Sequence, residues 1–166
     1  ALRIVQDGST FRTVEIENPV KTGDKWFRPV HATVGPDGAI YLSDWYDARI
    51  THVDPRDNWD RDRGRVYRLR AKDAGFSAPQ DLRKLTAGEL VARLKDPNQW
   101  LRRTVQRMLA DRQDQTVSTT LQDGLLGDDG PLALESLWAL HHLGRFDDSV
   151  ALQGLSHGDA FVRMWA

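Results

Sequence analysis

The chain has 166 residues, a formal net charge of −1 and 40% hydrophobic residues, a composition typical of a globular protein. The small net charge gives no reason to expect nucleic acid or an anionic membrane surface as a partner. No apolar run is long enough for a transmembrane helix. The sequence contains no cysteine, which excludes disulfides, zinc-thiolate sites and covalent haem attachment within it.

Both ends of the sequence have the character of an internal segment. The chain begins at Ala1 rather than at a methionine, and it stops inside an apolar pattern at Met164 and Trp165. We therefore expect it to be a fragment of a longer protein. A targeting signal would then lie upstream of this sequence.

Residues 1–75 have the pattern of short strands and turns. Apolar and polar residues alternate beside an Asp-Gly turn, which predicts a first hairpin. Four short antiparallel strands over about 45 residues are typical of one β-propeller blade, here residues 26–70. The first hairpin would be the outer pair of the preceding blade, so about one and a half blades are predicted. The four strands of the complete blade are predicted at residues 30–34, 39–42, 49–53 and 64–69.

Residues 85–166 have apolar side chains at helical spacing, and residues 76–84 before them are predicted to be a linker. Thr86 followed by Glu89 is the pattern of a capping box that begins a helix. Similar segments then recur at offsets of about 30 residues, which is typical of stacked helical hairpins. The sequence therefore predicts a multi-domain β then α protein. Its two parts would be a partial β-propeller and HEAT-like α-solenoid repeats.

Several segments resemble one protein family. Residues 26–30 read Trp-Phe-Arg-Pro-Val, residues 34–47 continue through Gly-Pro-Asp-Gly to Asp-Trp-Tyr-Asp, and residues 62–69 read Asp-Arg-Gly-Arg-Val-Tyr-Arg-Leu. With the helical segment at residues 94–103, they resemble the membrane-bound dehydrogenases that have a glucose/sorbosone dehydrogenase-like β-propeller followed by HEAT repeats. The resemblance covers residues 1–166 in order.

This resemblance implies an oxidoreductase, periplasmic or secreted, that oxidises a sugar or polyol with pyrroloquinoline quinone and calcium. Most of that chemistry would belong to propeller blades outside this sequence. We therefore expect the chain itself to be non-catalytic, with no cofactor or metal ion of its own. The HEAT repeats imply a protein partner. The alternative function is a non-enzymatic scaffold for protein–protein interaction built from the same two parts.

The candidate binding residues lie in two loops that the predicted strand directions place on one face of the blade. In the first loop, Arg28 would be a fixed cation for an anionic cofactor or substrate. In the second, Asp44 and Asp47 would accept hydrogen bonds from sugar hydroxyls. Trp45 or Tyr46 would stack on the sugar ring.

Three of these residues also have a structural interpretation. Asp44 can bind backbone N–H groups in a turn, and Trp45 can belong to the core. Arg28 can pair with Asp44 and hold the two loops together. His31, on the innermost strand, is a candidate base or ligand, although the sequence suggests no partner for it.

Three other groups are interpreted as surface features. The loop at residues 54–64 has four aspartates, but arginines between them can neutralise the charge and the spacing differs from an EF-hand. It is predicted on the face opposite the candidate loops. His141 and His142 are adjacent on a helix and cannot both face one metal ion. A basic helix face is expected to be solvated, and it consists of Arg102, Arg103, Arg107 and Arg112.

Overall fold

In the computed structural model, the described residues form five β-strands followed by six α-helices. The chain divides into two compact units, residues 1–32 with 42–67 and residues 33–41 with 68–166. Among the described residues, no helix has the length and apolar character needed to cross a membrane. The residues that the structure describes are 1–8, 10–49, 53, 55–56, 58–73, 75, 78–127 and 130–166.

The strands form two small antiparallel sheets. The first sheet pairs β1 (Leu2–Asp7) with β2 (Thr10–Glu15), which confirms the predicted first hairpin. The second sheet has the strand order β3–β4–β5. Its strands are β3 (Pro29–Val34), β4 (Ile40–Asp44) and β5 (Arg65–Leu69).

The hairpin that joins β3 to β4 is closed by a tight turn. Gly35 donates its N–H to the carbonyl of Ala39 over 2.8 Å. Gly38 has φ of 75°, a left-handed conformation that glycine adopts without a steric penalty. The turn therefore has the glycine that the Gly-Pro-Asp-Gly sequence predicts.

The helices begin after a 3₁₀ turn at Leu82–Lys84. The capping box of the first helix is confirmed, because the Thr86 hydroxyl accepts from the Glu89 N–H and the Glu89 carboxylate accepts from the Thr86 N–H. The six helices are α1 (Ala87–Ala92), α2 (Gln99–Arg112), α3 (Ser118–Leu126), α4 (Gly130–His142), α5 (Asp148–Leu155) and α6 (Ala160–Trp165).

One apolar core lies among these helices. It includes the side chains of Leu90, Leu121, Leu140 and Val162, each with no exposed surface. The helix α4 packs against α2, α3 and α6, and α3 also packs against α5. These are the contacts expected when each helix buries one apolar stripe.

The predicted fold class is wrong. In the residues that the structure describes, the strands form one sheet of two strands and one of three, neither sheet is closed, and six helices follow. The described residues form a small β-then-α protein. Three of the predicted blade strands correspond to β3, β4 and β5. The remaining predicted strand, at residues 49–53, lies largely outside the described residues.

The physical reason for the error is that the patterns used are local. Alternation and turn chemistry predict a strand or a hairpin, but they do not determine how many strands a sheet acquires. Likewise, a period of about 30 residues predicts paired helices without determining how the pairs are arranged around a core.

Candidate functional site

The structure brings the two predicted loops together. The loop before β3 and the loop after β4 are joined by two backbone hydrogen bonds. Trp45 donates its N–H to the carbonyl of Arg28 over 2.9 Å, and Asp47 donates to the carbonyl of Trp26 over 3.0 Å. All of these residues belong to the same compact unit. The adjacency that was inferred from strand direction is therefore present in the structure.

The Asp44 side chain holds the two loops together, because it accepts hydrogen bonds from the backbone of both. It ends β4 and is only 4% exposed. Its Oδ1 accepts from the N–H of Arg28 at 2.7 Å and from the N–H of Tyr46 at 3.0 Å. These contacts match the structural interpretation, in which Asp44 binds backbone N–H groups at a turn.

Asp47 connects a third loop to the first two. It is 2% exposed, and its Oδ2 accepts from the N–H of Asp60 at 2.8 Å. Its Oδ1 also accepts a longer bond of 3.4 Å from the N–H of Arg49. The segment around Asp60 was predicted on the opposite face. Its hydrogen bond to Asp47 places it at the candidate loops instead.

Arg28 also has a loop-joining role. Its Nη1 donates to the carbonyl of Phe27 over 2.9 Å, and its Nη2 donates to the carbonyl of Ala48 over 3.1 Å. The contact between Arg28 and Asp44 runs through the Arg28 backbone rather than through the guanidinium. The guanidinium is half-buried and spans the two loops.

The aromatic residues of the second loop lie nearer the surface. Trp45 is 48% exposed and meets Trp59 edge-on, with ring centroids 5.9 Å apart. The guanidinium of Arg49 lies 4.6 Å from the Trp59 ring centroid. An aromatic ring in this setting offers an apolar face to a ligand while its neighbours hold it in place.

Tyr46 has a strained backbone. Its φ of 49° is in the left-handed region, which is uncommon for a bulky residue. The hydrogen bond from its N–H to Asp44 helps hold this conformation. Its ring packs 6.0 Å from that of Trp26, and the Arg65 guanidinium lies 4.1 Å above it. A hydrogen bond to Tyr46 raises the pKa of Arg65 above its ordinary value.

A groove of about 540 Å³ lies beside these aromatic rings. Sequence reasoning missed residues 58–63, which supply most of the lining of this groove, because the loop of alternating Asp and Arg was interpreted as self-paired surface. The signal that could have identified it is the single tryptophan, Trp59, within an otherwise charged loop. The groove is lined by Trp26, Asn58, Trp59, Asp60, Arg61, Asp62 and Arg63.

The charges along the groove are partly paired. Arg63 forms an ion pair with Asp60 at 2.7 Å. Burial by itself would raise the pKa of Asp60, but the N–H of Asp62 and the Arg63 guanidinium lower it overall. Arg63 also lies 5.6 Å from the Trp26 ring centroid. The Asp60 side chain, which lines the groove, is therefore an ionised carboxylate rather than a proton donor.

Among the described residues, no side-chain contact brings His31 into this site. It is exposed on β3, and its backbone carbonyl accepts from the Ser43 hydroxyl at 3.4 Å. In the described part of the chain, its imidazole has no hydrogen-bond partner. Nothing there prepares His31 to act as a base.

The resemblance implies a calcium ion in the parent protein, beside a quinone. Calcium needs several oxygens that converge on one point. Asp44 and Asp47 instead direct oxygens to backbone N–H groups, and Asp60 pairs with Arg63. The described residues contain no group of three or more His, Asp or Glu side chains placed to hold a metal ion. The described loop residues do not fit a calcium site.

The predicted basic helix face divides into two pairs. Arg102 donates to Glu135, and Arg112 donates to the carbonyl of Arg83. Arg103 and Arg107 are exposed on the same helix, with no hydrogen-bond acceptor in the described residues. Two of the four arginines, Arg102 and Arg112, therefore make contacts within the helical part of the chain. His141 and His142 are exposed at the end of α4, and their rings lie 5.9 Å apart.

Fold and site together define a small β-then-α protein with a loop-built groove of aromatic and charged residues. A family model described as a domain of unknown function (DUF7133) matches residues 1–73. No curated protein and no solved structure matches the chain. The matched residues include the three loops of the candidate site, so the chain is similar to that family in this region.

Proposed function

We propose that this chain is a non-catalytic binding module whose loop surface, formed by residues 24–28, 44–49 and 58–63, receives a sugar or polyol. The observation that carries the proposal is the exposed indole of Trp45 standing edge-on to Trp59, beside the groove. An aromatic face can pack against the C–H bonds of a sugar ring. Nearby amide, carboxylate and guanidinium groups can fix the orientation of its hydroxyls.

The choice of sugar or polyol has two supports. The groove combines tryptophan rings with Asn58 and paired charges, so it offers both apolar surface and hydrogen-bonding groups. The resemblance to sugar dehydrogenases, which rests on residues in the same loops, implies the same class of ligand. A ligand rich in both C–H and O–H groups matches this mixture of side chains.

The non-catalytic part of the proposal rests on the buried carboxylates. Removal of a proton from a hydroxyl needs a base within hydrogen-bond reach of the ligand. Asp44 and Asp47 are 4% and 2% exposed, and both hold backbone N–H groups. Their role in this proposal is to position the aromatic residues.

Binding can be tested by titrating the full chain with glucose and with sorbitol while tryptophan fluorescence or indole NMR signals are followed. We expect weak binding, with a dissociation constant on the order of millimolar. Trp45→Ala should weaken it about tenfold or more by removing the stacking face. Trp165→Ala, which removes a tryptophan that is 56% exposed on α6, is the matched control and should leave binding unchanged.

Absence of any indole signal change up to about 100 mM ligand would overturn the sugar-binding proposal. Turnover is a separate test. The chain supplied with glucose, pyrroloquinoline quinone, calcium and a redox dye should show no dye reduction. Measurable reduction would show that the non-catalytic part of the proposal is wrong.

A further inference from the structure

The Arg49 side chain contacts two residues that line the groove. Its Nη2 donates to Oδ1 of Asn58 over 2.6 Å and to the carbonyl of Arg56 over 2.7 Å. The same guanidinium lies 4.6 Å from the centroid of the Trp59 ring. The backbone N–H of Arg49 donates to the buried Asp47. Arg49 therefore fixes Asn58 and Trp59 relative to the loop that follows β4.

The contact with Arg49 determines which end of the Asn58 amide is available to a ligand. A guanidinium has N–H donors and no acceptor, so the amide oxygen must be the atom that faces it. The opposite end, Nδ2, carries two N–H donors. In the described parts of the chain, no group accepts from Nδ2, and Asn58 is exposed where it lines the groove. Asn58 therefore has donors rather than an acceptor to offer in the groove.

The nearby carboxylate of Asp60 does not take up these N–H groups. Its Oδ1 accepts from the N–H groups of Asp62 and Arg63, each over 3.1 Å. Its Oδ2 accepts from Arg63 Nη2 over 2.7 Å, and only 8% of the Asp60 side chain is exposed. The two oxygens of Asp60 are thus used within its own loop. The Asn58 N–H groups are left to solvent or to a ligand.

The surroundings of Asn58 suit a sugar or polyol. Asn58 precedes Trp59 in the lining of the groove, so a hydrogen-bond donor stands beside an aromatic ring. A ligand whose C–H groups pack on a ring can accept from such a donor through one of its oxygens. Because Arg49 already holds the amide, Asn58 loses little freedom when it binds a ligand.

We propose that Asn58 donates a hydrogen bond from Nδ2 to a ring or hydroxyl oxygen of the ligand, and that Arg49 positions the amide for this bond. The inference rests on the proposed sugar or polyol binding, and it adds a residue that selects the ligand and the direction of its hydrogen bond. Arg49 acts through Asn58 and is a positioning residue.

The test uses the full chain labelled with nitrogen-15 and titrated with glucose, while NMR follows the Trp45 indole N–H and the Asn58 side-chain amide. Both signals should shift in the unchanged chain. Asn58→Asp keeps an acceptor for Arg49 but removes the N–H donors, so the affinity should fall about three- to tenfold, the effect of one hydrogen bond. Asn18→Asp makes the same change at an exposed residue outside the groove lining and should leave the affinity unchanged.

A binding role and a purely structural role of Asn58 predict different results. In Asn58→Asp the contact with Arg49 becomes an ion pair, so the thermal midpoint should not fall in either case. Only the binding role predicts a loss of affinity. An unchanged affinity, with the Trp45 indole still shifting, would overturn this inference alone. Absence of an indole shift in the unchanged chain would overturn the sugar-binding proposal and this inference with it.

The positioning role of Arg49 has its own test. Arg49→Gln places an acceptor as well as donors beside Asn58, so the amide is no longer held in one orientation. Its affinity for glucose should fall by a factor similar to that of Asn58→Asp, and the double variant should lose no more than either. Arg49→Lys, which has donors only, should retain most of the affinity. Losses that add in the double variant would show that Arg49 does not act through Asn58.

Discussion

The helical residues and the loop residues of this protein are held together in different ways. Among the helices, the core side chains are leucines and valines with little or no exposed surface. Among the described residues before Leu82, the buried apolar side chains are those of Ala39 and Leu42, whereas Asp44 and Asp47 are both buried. The helices are organised by apolar burial, and the loops by carboxylates that accept from backbone N–H groups.

This difference determines how each region should respond to substitution. Burial of one leucine contributes about 1.5–3 kcal/mol, and many leucines share the helical core. A hydrogen bond contributes about 0.5–1.5 kcal/mol net, but a buried N–H left without a partner costs about 1–3 kcal/mol. The loops therefore depend on a few specific polar residues, and the helices depend on a repeated pattern.

The largest expected effect is in the helical core. Leu121 on α3 has no exposed surface, so Leu121→Ala should lower the free energy of unfolding by about 2–5 kcal/mol, through lost burial and a cavity. Leu126, on the same helix, is 59% exposed and provides the matched control. Leu126→Ala should change stability by less than about 0.5 kcal/mol. Urea unfolding followed by far-UV circular dichroism measures both, and equal losses would contradict an apolar core at Leu121.

The next effect concerns the loops. Asp47→Ala removes the acceptor of the Asp60 N–H and should cost about 1–3 kcal/mol. Asp62→Ala, which changes an exposed aspartate in the same loop region, should be close to neutral. Hydrogen exchange measured by mass spectrometry should show faster exchange at residues 45–49 and 58–62 in Asp47→Ala. Unchanged exchange there would mean that the loops do not depend on this carboxylate.

A smaller effect is expected at the start of α2. Asn98 caps the helix through its Oδ1 and donates its Nδ2 to the carbonyl of Gly35 over 3.0 Å. Asn98→Ala loses both contacts and should cost about 0.5–2 kcal/mol. Asn98→Asp keeps the cap but loses the donor, so its thermal midpoint should lie between those of the other two proteins. Equal midpoints for Asn98→Asp and Asn98→Ala would show that the cap contributes nothing.

The smallest effect is a dependence on acid pH in the helical part. Hydrogen bonds from the Arg83 side chain and backbone lower the pKa of Asp81 from 3.8 to about 2, and a hydrogen bond from the Thr86 N–H lowers that of Glu89 from 4.5. Because these folded-state values lie below the unfolded ones, the stabilisation is complete above about pH 4.5 and is lost as the pH falls toward 2.

Thermal midpoints measured between pH 7 and pH 2 should therefore fall at the acid end. The double variant Asp81→Asn with Glu89→Gln should show a shallower fall, because two of the titrating groups are gone. The difference is expected to be small, since both carboxylates are near the surface and solvent weakens such contacts. An identical pH profile for the double variant would exclude them as contributors.

Several features could be predicted from the sequence because their causes are local. Apolar residues at helical spacing predicted the helices, the Thr86 and Glu89 pair predicted a capping box, and Asp7-Gly8 predicted the first hairpin. The candidate loops were also predicted, because strand direction places them side by side. Each of these inferences needs only residues that are close in sequence or strands that are paired.

The tertiary structure alone decided the fold class and the roles of the site residues. The number of strands in each sheet depends on long-range pairing, which no local pattern encodes. Asp47 accepts from a residue 13 positions away, and Arg28 donates to a carbonyl 20 positions away. Whether a carboxylate faces a ligand or a backbone N–H depends on where such distant segments meet, so residue type and spacing could nominate these side chains but not assign their roles.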